Sequence, residues 1–293
     1  LILLLKDYLE VATLSRGYIR KTKGFRVVQH RDNARQVGDE PLQFKRKFPD
    51  LLVTVSESRM FGIPQILSQK PDTQVILLDD AFQHLAVRPG LNILLTEYDR
   101  PFTRDFLLPS GRLREWRSAY ERADVVVVSK CPPGLSEAEA GELREEIQPL
   151  PHQQLFFSYY RYSTPYFLFN RRYGLKLDEE WTVLVICAIA NTDYLLSYLN
   201  RQAGEVRVLE FEDHHYFNKE DLSALKKSWD KLETDKKVII TTEKDAMRLE
   251  EHRAFLQREK LPVFVLPIEV QFLFHQGPAF DEYIKHFLLD FKV

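Results

Sequence analysis

The chain has 293 residues, 44% of them hydrophobic, with 41 Lys and Arg against 43 Asp and Glu and a formal net charge of −2. That length accommodates one large or two ordinary α/β domains, and the even charge balance excludes the global cationic excess that drives non-specific nucleic-acid binding. No apolar run approaches the roughly 18 to 20 residues needed to span a bilayer, and the cysteines Cys131 and Cys187 form no CxxC pair, which argues against a zinc site or disulfide framework and fits a reducing compartment.

The first residues are apolar at 1, 4, 5, 8 and 9 and open mid-pattern, without an initiator Met or a cap. They read as the back of a helix whose N-terminus lies upstream, and a helix N-terminus is where a phosphate loop sits. None of the 11 glycines has a partner at the spacing of GxxxxGK[ST]. The loop is therefore expected before Leu1. Any membrane anchor cut away with it would leave the present chain soluble or peripheral.

Strand-like runs follow at Val11 to Ser15, Leu51 to Val55, Val75 to Leu78, Leu91 to Thr96 and Val125 to Ser129, separated by polar or helical stretches. This is the cadence of a parallel α/β sheet. After the first run come Arg16, Gly17, Tyr18 and the basic stretch Arg20 to Lys23, which suits an anionic ligand at a strand's carboxyl end or is a solvated charge run. Gly38-Asp39-Glu40-Pro41 sets two carboxylates in a loop, either a general base or ordinary turn chemistry. The run Val75 to Leu78 delivers Asp79 and Asp80 to a sheet edge, where nucleotide-binding proteins hold magnesium and where an acid pair also makes a turn or an N-cap. Leu108 to Glu115 offers a turn carrying Arg112 and Arg114, a phosphate clamp or a surface hairpin.

Ser136 to Glu139 is a capping box opening a helix to about Ile147. Pro149, Pro151 and the aromatic, loop-like stretch Phe156 to Tyr166 mark the domain junction. A second α/β series has strands at Val183 to Ile189, Val206 to Phe211, Val238 to Thr242 and Val263 to Ile268. Between them Asn218 caps a helix with Leu222, Leu225, Trp229 and Leu232 on one face. Asp213-His214-His215 follows a strand end and suits metal ligation or the tuning of a nearby carboxylate. Thr242-Glu243-Lys244-Asp245 reads as a structural ion network. Phe280, Tyr283, Ile284, Phe287 and Leu288 form the apolar face of a last helix, read as core packing rather than membrane contact.

The order of these pieces is more specific than any one of them. Ser-Arg-Gly-Tyr at 15 to 18, Gly-Asp-Glu-Pro at 38 to 41, Asp-Asp-x-Phe-Gln-His at 79 to 84, Leu-Leu-Pro-x-Gly-x-Leu-Arg-Glu at 107 to 115, Ile-Ala-Asn at 189 to 191, Asp-His-His at 213 to 215 and Thr-Glu-Lys-Asp at 242 to 245 together resemble the tetraacyldisaccharide 4'-kinase family of lipid A biosynthesis, over nearly the whole chain. The resemblance implies a phosphate-loop NTPase-like α/β domain over residues 1–165, with a hairpin lid near 107–117, and a second, smaller α/β domain over 166–293. It implies ATP and Mg2+ as cofactors and an acylated disaccharide phosphate lipid as partner, met at the cytoplasmic face of a Gram-negative inner membrane, with no nucleic acid.

Carried over by the same resemblance, Asp39 is the base, His214 its partner across the cleft and Asp213 beside it. Asp79, Asp80 and Glu40 serve the metal, while Arg114, Glu115, Gln83 and His84 face the nucleotide. Ala81 stands where many members have Gly, Trp116 where Pro is usual and Ala188 where Gly is common, and the last two put the hairpin and one turn in question. Two other readings remain, a metal-dependent phosphoesterase and an inactive paralogue that binds lipid A precursors.

Overall fold

The computed structural model describes residues 1–291. Helix α1 (Ile2–Leu5) is one turn long, shorter than the apolar spacing predicts, since Leu5 is buried while Tyr8 is 78% exposed. Strands β1 (Val11–Ser15), β2 (Arg26–Val27), β3 (Leu52–Val55) and β4 (Val75–Leu78) form a sheet in the order β2-β3-β1-β4. β1 runs parallel to both neighbours, with Thr13 beside Val53 and Leu77. It is buried along its whole length, as a central parallel strand with both faces covered must be.

Helices α2 (Ala34–Val37), α3 (Asp39–Lys47) and α4 (Arg59–Gln69) belong to this region. The Asp-Glu-Pro stretch expected to be a loop is instead the first turn of α3. Pro41 is tolerated there because a first-turn N–H has no partner within the helix.

A second sheet begins with the parallel strands β5 (Ile93–Glu97), β6 (Val125–Ser129) and β7 (Gln154–Tyr162). Ser136 caps α5 (Glu137–Ile147) through the predicted box, Ser136 accepting from the Glu139 N–H and Glu139 from the Ser136 N–H. The stretch from Phe156 read as loop-like is strand β7. Its aromatic residues, on both faces of the strand, fit a pleated, largely buried surface, and the prolines that suggested a loop lie before it.

The third sheet holds β8 (Tyr166–Phe167), β9 (Asn170–Gly174), β10 (Thr182–Cys187), β11 (Glu205–Glu210), β12 (Lys237–Thr242) and β13 (Val263–Leu266), in the order β11-β10-β12-β13-β8-β9. Strands β10 to β13 are parallel, and the hairpin β8/β9 adds antiparallel at one edge. Helices α6 (Asp193–Leu199), α7 (Lys219–Asp230), α8 (Glu243–Leu249) and α9 (Arg253–Arg258) connect these strands. Asn218 caps α7 as expected, and Leu222 and Leu225 are buried on its inner face.

The chain then returns. Strand β14 (Ile268–Phe272), which the sequence reading did not separate from β13, pairs antiparallel with β7 from Ile268 opposite Tyr162 to Phe272 opposite Ser158. Helix α10 (Gly277–Asp290) follows and packs Phe280 against Phe156 and Phe272, ring centroids 5.3 and 4.6 Å apart. Its apolar face is core, as predicted, because burying an aromatic side chain this way is worth about 1.5–3 kcal/mol. The predicted division at 165/166 lies beside the crossing between sheets, but residues from 268 onward pack on the first unit rather than the second.

Candidate active site

Open parallel sheets bind ligands beyond the carboxyl ends of their strands. Here two sheets turn such ends towards one another: β1 ends at Ser15 and β4 leads into Asp79, while β11 leads into Asp213-His214 and β12 into Lys244. The contact that joins them runs between Asp39 Oδ2 and His214 Nδ1, at 3.2 Å and across 175 residues of sequence.

Asp39 is the first residue of α3 and only 5% exposed. Gly38 before it has φ +93°, and a Cβ there would lie 3.2 Å from the Gly17 Cα, so two glycines let the β1 loop approach the helix start. The Oδ1 atom of Asp39 accepts from the Glu40 N–H at 3.0 Å, and a helix N-terminus favours a negative charge. Burial pushes the Asp39 carboxyl up, but the hydrogen bond from His214 and the charges of Lys244 and Arg248 outweigh it and hold the group below the usual carboxylate range. Asp39 is thus ionised and oriented at neutral pH.

His214 has a left-handed backbone (φ 60°), and its N–H donates to the Ala188 carbonyl at 3.2 Å. Its Nε2 lies 3.1 Å from Lys244 Nζ and 3.7 Å from Asp213 Oδ2, and the Tyr18 ring meets its ring edge-on at 5.0 Å. With Nδ1 on Asp39 and Nε2 on Lys244, neither ring nitrogen is left for a metal, so of the two readings of this histidine the geometry supports the tuning of a carboxylate. His215 is turned away, its Nε2 2.7 Å from Asp221 and its ring stacked on Phe211. Its role is to hold the loop to the capped start of α7.

Beneath the pair the structural ion network expected at Thr242 to Asp245 extends to Arg248, which the sequence reading did not include. Arg248 is 1% and Asp245 0% exposed; Arg248 donates to Asp245 and to the Ala188 carbonyl, and its Nη1 is 3.7 Å from Asp39 Oδ2. Asp245 also accepts from the Ala188 N–H and the Thr242 hydroxyl. Ala188 is therefore gripped at both backbone groups. Its φ is not positive, so the turn stands without the usual glycine. Replacing Arg248 by Met leaves the Asp245 carboxylate buried without its partner and is expected to cost about 3–5 kcal/mol of folding stability, measured by denaturant unfolding.

On the other side, Asp79 is half-buried and accepts from the Ser15 hydroxyl at 3.0 Å, while Asp80 has φ 42° and pairs with Arg114 at 2.8 Å. The backbone carbonyls of both acids take hydrogen bonds from Arg59, a buried residue that no motif had marked. Burial, and then the charge of Asp80, push the Asp79 carboxyl above its ordinary value against the Ser15 hydrogen bond. Burial and the charge of Asp79 do the same to Glu40, which reaches Lys244 at 3.5 Å. The positive charges near them, Arg59 beside Asp79 and Lys244 beside Glu40, do not outweigh burial. Among the described residues no group of three or more His, Cys, Asp or Glu side chains is placed to hold a metal ion. Magnesium fits nonetheless, because it is usually held by one or two carboxylates together with substrate phosphates and waters.

The segment expected to be a hairpin is a loop closed by one isolated parallel bridge between Leu107 and Leu113; Arg114 brings it over the strand end, whereas Glu115 accepts from Arg122, whose guanidinium also covers the Phe82 ring at 4.7 Å. Trp116 begins the following 3-10 turn with φ −59°, the value that proline would fix, so the loop tolerates the exchange. Gln83 is exposed, and His84 buries its Nε2 without a hydrogen-bond partner. Neither is brought to Asp39. In the basic loop Arg20 is neither solvated nor free for a ligand, since it pairs with Glu57 at 2.7 Å and the Gly24 carbonyl at 2.6 Å. Arg16 remains exposed.

Comparison with known proteins gives the family and the fold. The profile of the family described as Tetraacyldisaccharide-1-P 4'-kinase matches residues 1–289. The chain is 42% identical over 291 residues to the tetraacyldisaccharide 4'-kinase of Bacteroides fragilis strain YCH46, covering 97% of this chain and 77% of that protein. It is 41% identical over 289 residues to the enzyme of the same name from Flavobacterium johnsoniae, covering 97% and 81%. The crystal structure of the "apo" form of LpxK from Aquifex aeolicus in complex with ATP shares the fold, with a TM-score of 0.70, 24% identity and coverage of 98% of this chain and 81% of that one. The α/β fold, the ordered motifs and these matches have one reading: the chain belongs to the tetraacyldisaccharide-1-P 4'-kinase family.

Proposed function

We propose that the protein transfers the γ-phosphoryl group of ATP to the 4'-hydroxyl of a tetraacylated glucosamine disaccharide 1-phosphate, the step of lipid A biosynthesis that yields lipid IVA. The observation that carries this reading is the Asp39–His214 contact, which sets an ionised carboxylate in the cleft between two lobes. The relatives' shared name and the ATP-bound neighbour support the substrate and the nucleotide. The lobes divide as residues 1–162 with 268–291, and 163–267.

In the transfer, the acceptor oxygen bonds to the γ-phosphorus, the bond from that phosphorus to ADP breaks and the hydroxyl proton passes to Asp39. The transition state is loose, so the hydroxyl needs aiming more than strong deprotonation. A carboxylate held below its usual range does that. Asp79 and Asp80, with Glu40 beside them, would hold magnesium, which when bound neutralises charge on the phosphate oxygens. Arg114 closes the loop towards the nucleotide, with Glu115, Gln83 and His84 along that wall.

The enzyme works at the cytoplasmic face of the inner membrane. No helix among the described residues is long and apolar enough to cross a membrane. Phe106, Leu108 and Trp116, all more than half exposed on one loop, suit contact with acyl chains.

The test is transfer of labelled γ-phosphate by the full-length protein to the disaccharide acceptor with ATP and magnesium. Transfer is expected, and His214→Ala should lower it by about 10²-fold or more, in the range lost when a general base no longer works. Release of inorganic phosphate from monoesters without ATP would favour the phosphoesterase, and absence of transfer the inactive paralogue.

A further inference from the structure

We propose that Lys244 is a positioning residue that fixes His214 in its neutral Nδ1–H tautomer, so that the ring donates to Asp39. The inference rests on the kinase reading for its kinetic consequence and on geometry alone for its structural one. Lys244 is the second residue of α8, 79% of its side chain withdrawn from solvent, with Nζ 3.1 Å from His214 Nε2.

An ammonium has three donors and no acceptor, so a hydrogen bond to Nε2 requires a lone pair there. The proton of the neutral ring then sits on Nδ1, which faces Asp39 Oδ2 at 3.2 Å. A competitor is close at hand. Asp213 Oδ2 lies 3.7 Å from the same Nε2 and, as a carboxylate, accepts only, so it favours a proton on Nε2. Lys244 opposes this twice, by occupying Nε2 and by lying 3.6 Å from Asp213 Oδ1.

The other groups facing the ring are Asp39 and Glu40 from α3, Arg248 from α8 and Tyr18 from the loop after β1. Arg248 points at Asp39 rather than at the ring, and Tyr18 meets the ring edge-on. Lys244 alone among them donates to Nε2. If the ring proton moved to Nε2, Nδ1 would turn a lone pair on the Asp39 carboxylate, and the base would lose the donor that orients it.

The experiment uses full-length protein with 15N-labelled histidine, His214 being assigned by its disappearance in His214→Ala. At neutral pH without ligands the parent should show His214 with a protonated Nδ1 and a bare Nε2. Lys244→Met should convert the ring wholly or partly to the Nε2–H or doubly protonated form. The same variant should lower kcat by about 10- to 100-fold, the scale seen when an orienting partner is lost, with KM for ATP unchanged. Adding Asp213→Asn should restore the Nδ1–H tautomer and part of kcat, because the amide can itself donate to Nε2. An Nε2–H ring in the parent, an Nδ1–H ring that survives Lys244→Met, or a double variant that recovers neither property overturns the proposal. A parent that shows the expected tautomer yet transfers no phosphate overturns the kinase reading instead.

Discussion

Asp39→Asn is expected to lower phosphoryl transfer by about 10²- to 10⁴-fold, the usual contribution of a general base, with ATP affinity unchanged. The substitution keeps the shape of the side chain. Its amide oxygen can still accept from the Glu40 N–H or from His214, so the start of α3 is preserved, and the loss falls on the proton acceptor alone. Steady-state kinetics with saturating acceptor, together with calorimetric ATP binding, separate the two quantities. Turnover equal to the parent's would remove Asp39 from its role. The Asp39 carboxyl also links stability to pH, because its folded pKa is depressed. Its stabilising contribution is present above the unfolded value and lost as pH falls through the folded one, and Asp39→Asn should flatten that acid limb.

Asp79→Asn is expected to move activity and stability in opposite directions. Transfer should fall by roughly 10²- to 10³-fold, the cost of removing one charge-stabilising group from a phosphoryl-transfer site. The ligand-free protein should melt at a higher temperature. Burial, and next the charge of Asp80, raise the Asp79 carboxyl above its unfolded value. Such a group stabilises the fold fully only below the unfolded pKa, and that contribution is lost as pH rises through the folded one. Above the ordinary carboxylate range, charging this carboxyl therefore costs the native state more than the unfolded chain, and the amide removes that cost. The gain in melting temperature should shrink as pH is lowered towards the carboxylate range. A variant that melts lower than the parent at neutral pH would contradict this account. The cation site proposed at this strand end would thus trade stability for function.

Local features were legible in the sequence. Val75 to Leu78, the Ser136 box and the Asn218 cap depend on residues within a few positions of one another, and they stand as predicted. The Asp39–His214 pair joins residues in different lobes, and no spacing rule connects them; only the resemblance did. Arg248 and Arg59 were passed over, and Lys244 was read only as part of a structural ion network, because a charged helix residue looks alike in sequence whether it faces water or a site. One signal was available. Thr242-Glu243-Lys244 follows a parallel strand's carboxyl end, as Asp213-His214 does, and neighbouring strand ends share one cleft. The aromatic stretch from Phe156 misled because bulky residues after two prolines suit a loop as well as a strand.

The antiparallel pairing of β7 with β14 has a mechanical consequence. The lobe at 163–267 enters and leaves through adjacent strands, with the Ser163 N–H 3.0 Å from the Pro267 carbonyl at the doorway. A two-stranded ribbon resists sliding, because sliding breaks its ladder, but it bends readily. The lobes are tied a second time by the ion pairs Arg35–Glu251, Arg46–Glu250 and Lys47–Glu243, so the ribbon and the flank of α3 together fix the distance between Asp39 and His214.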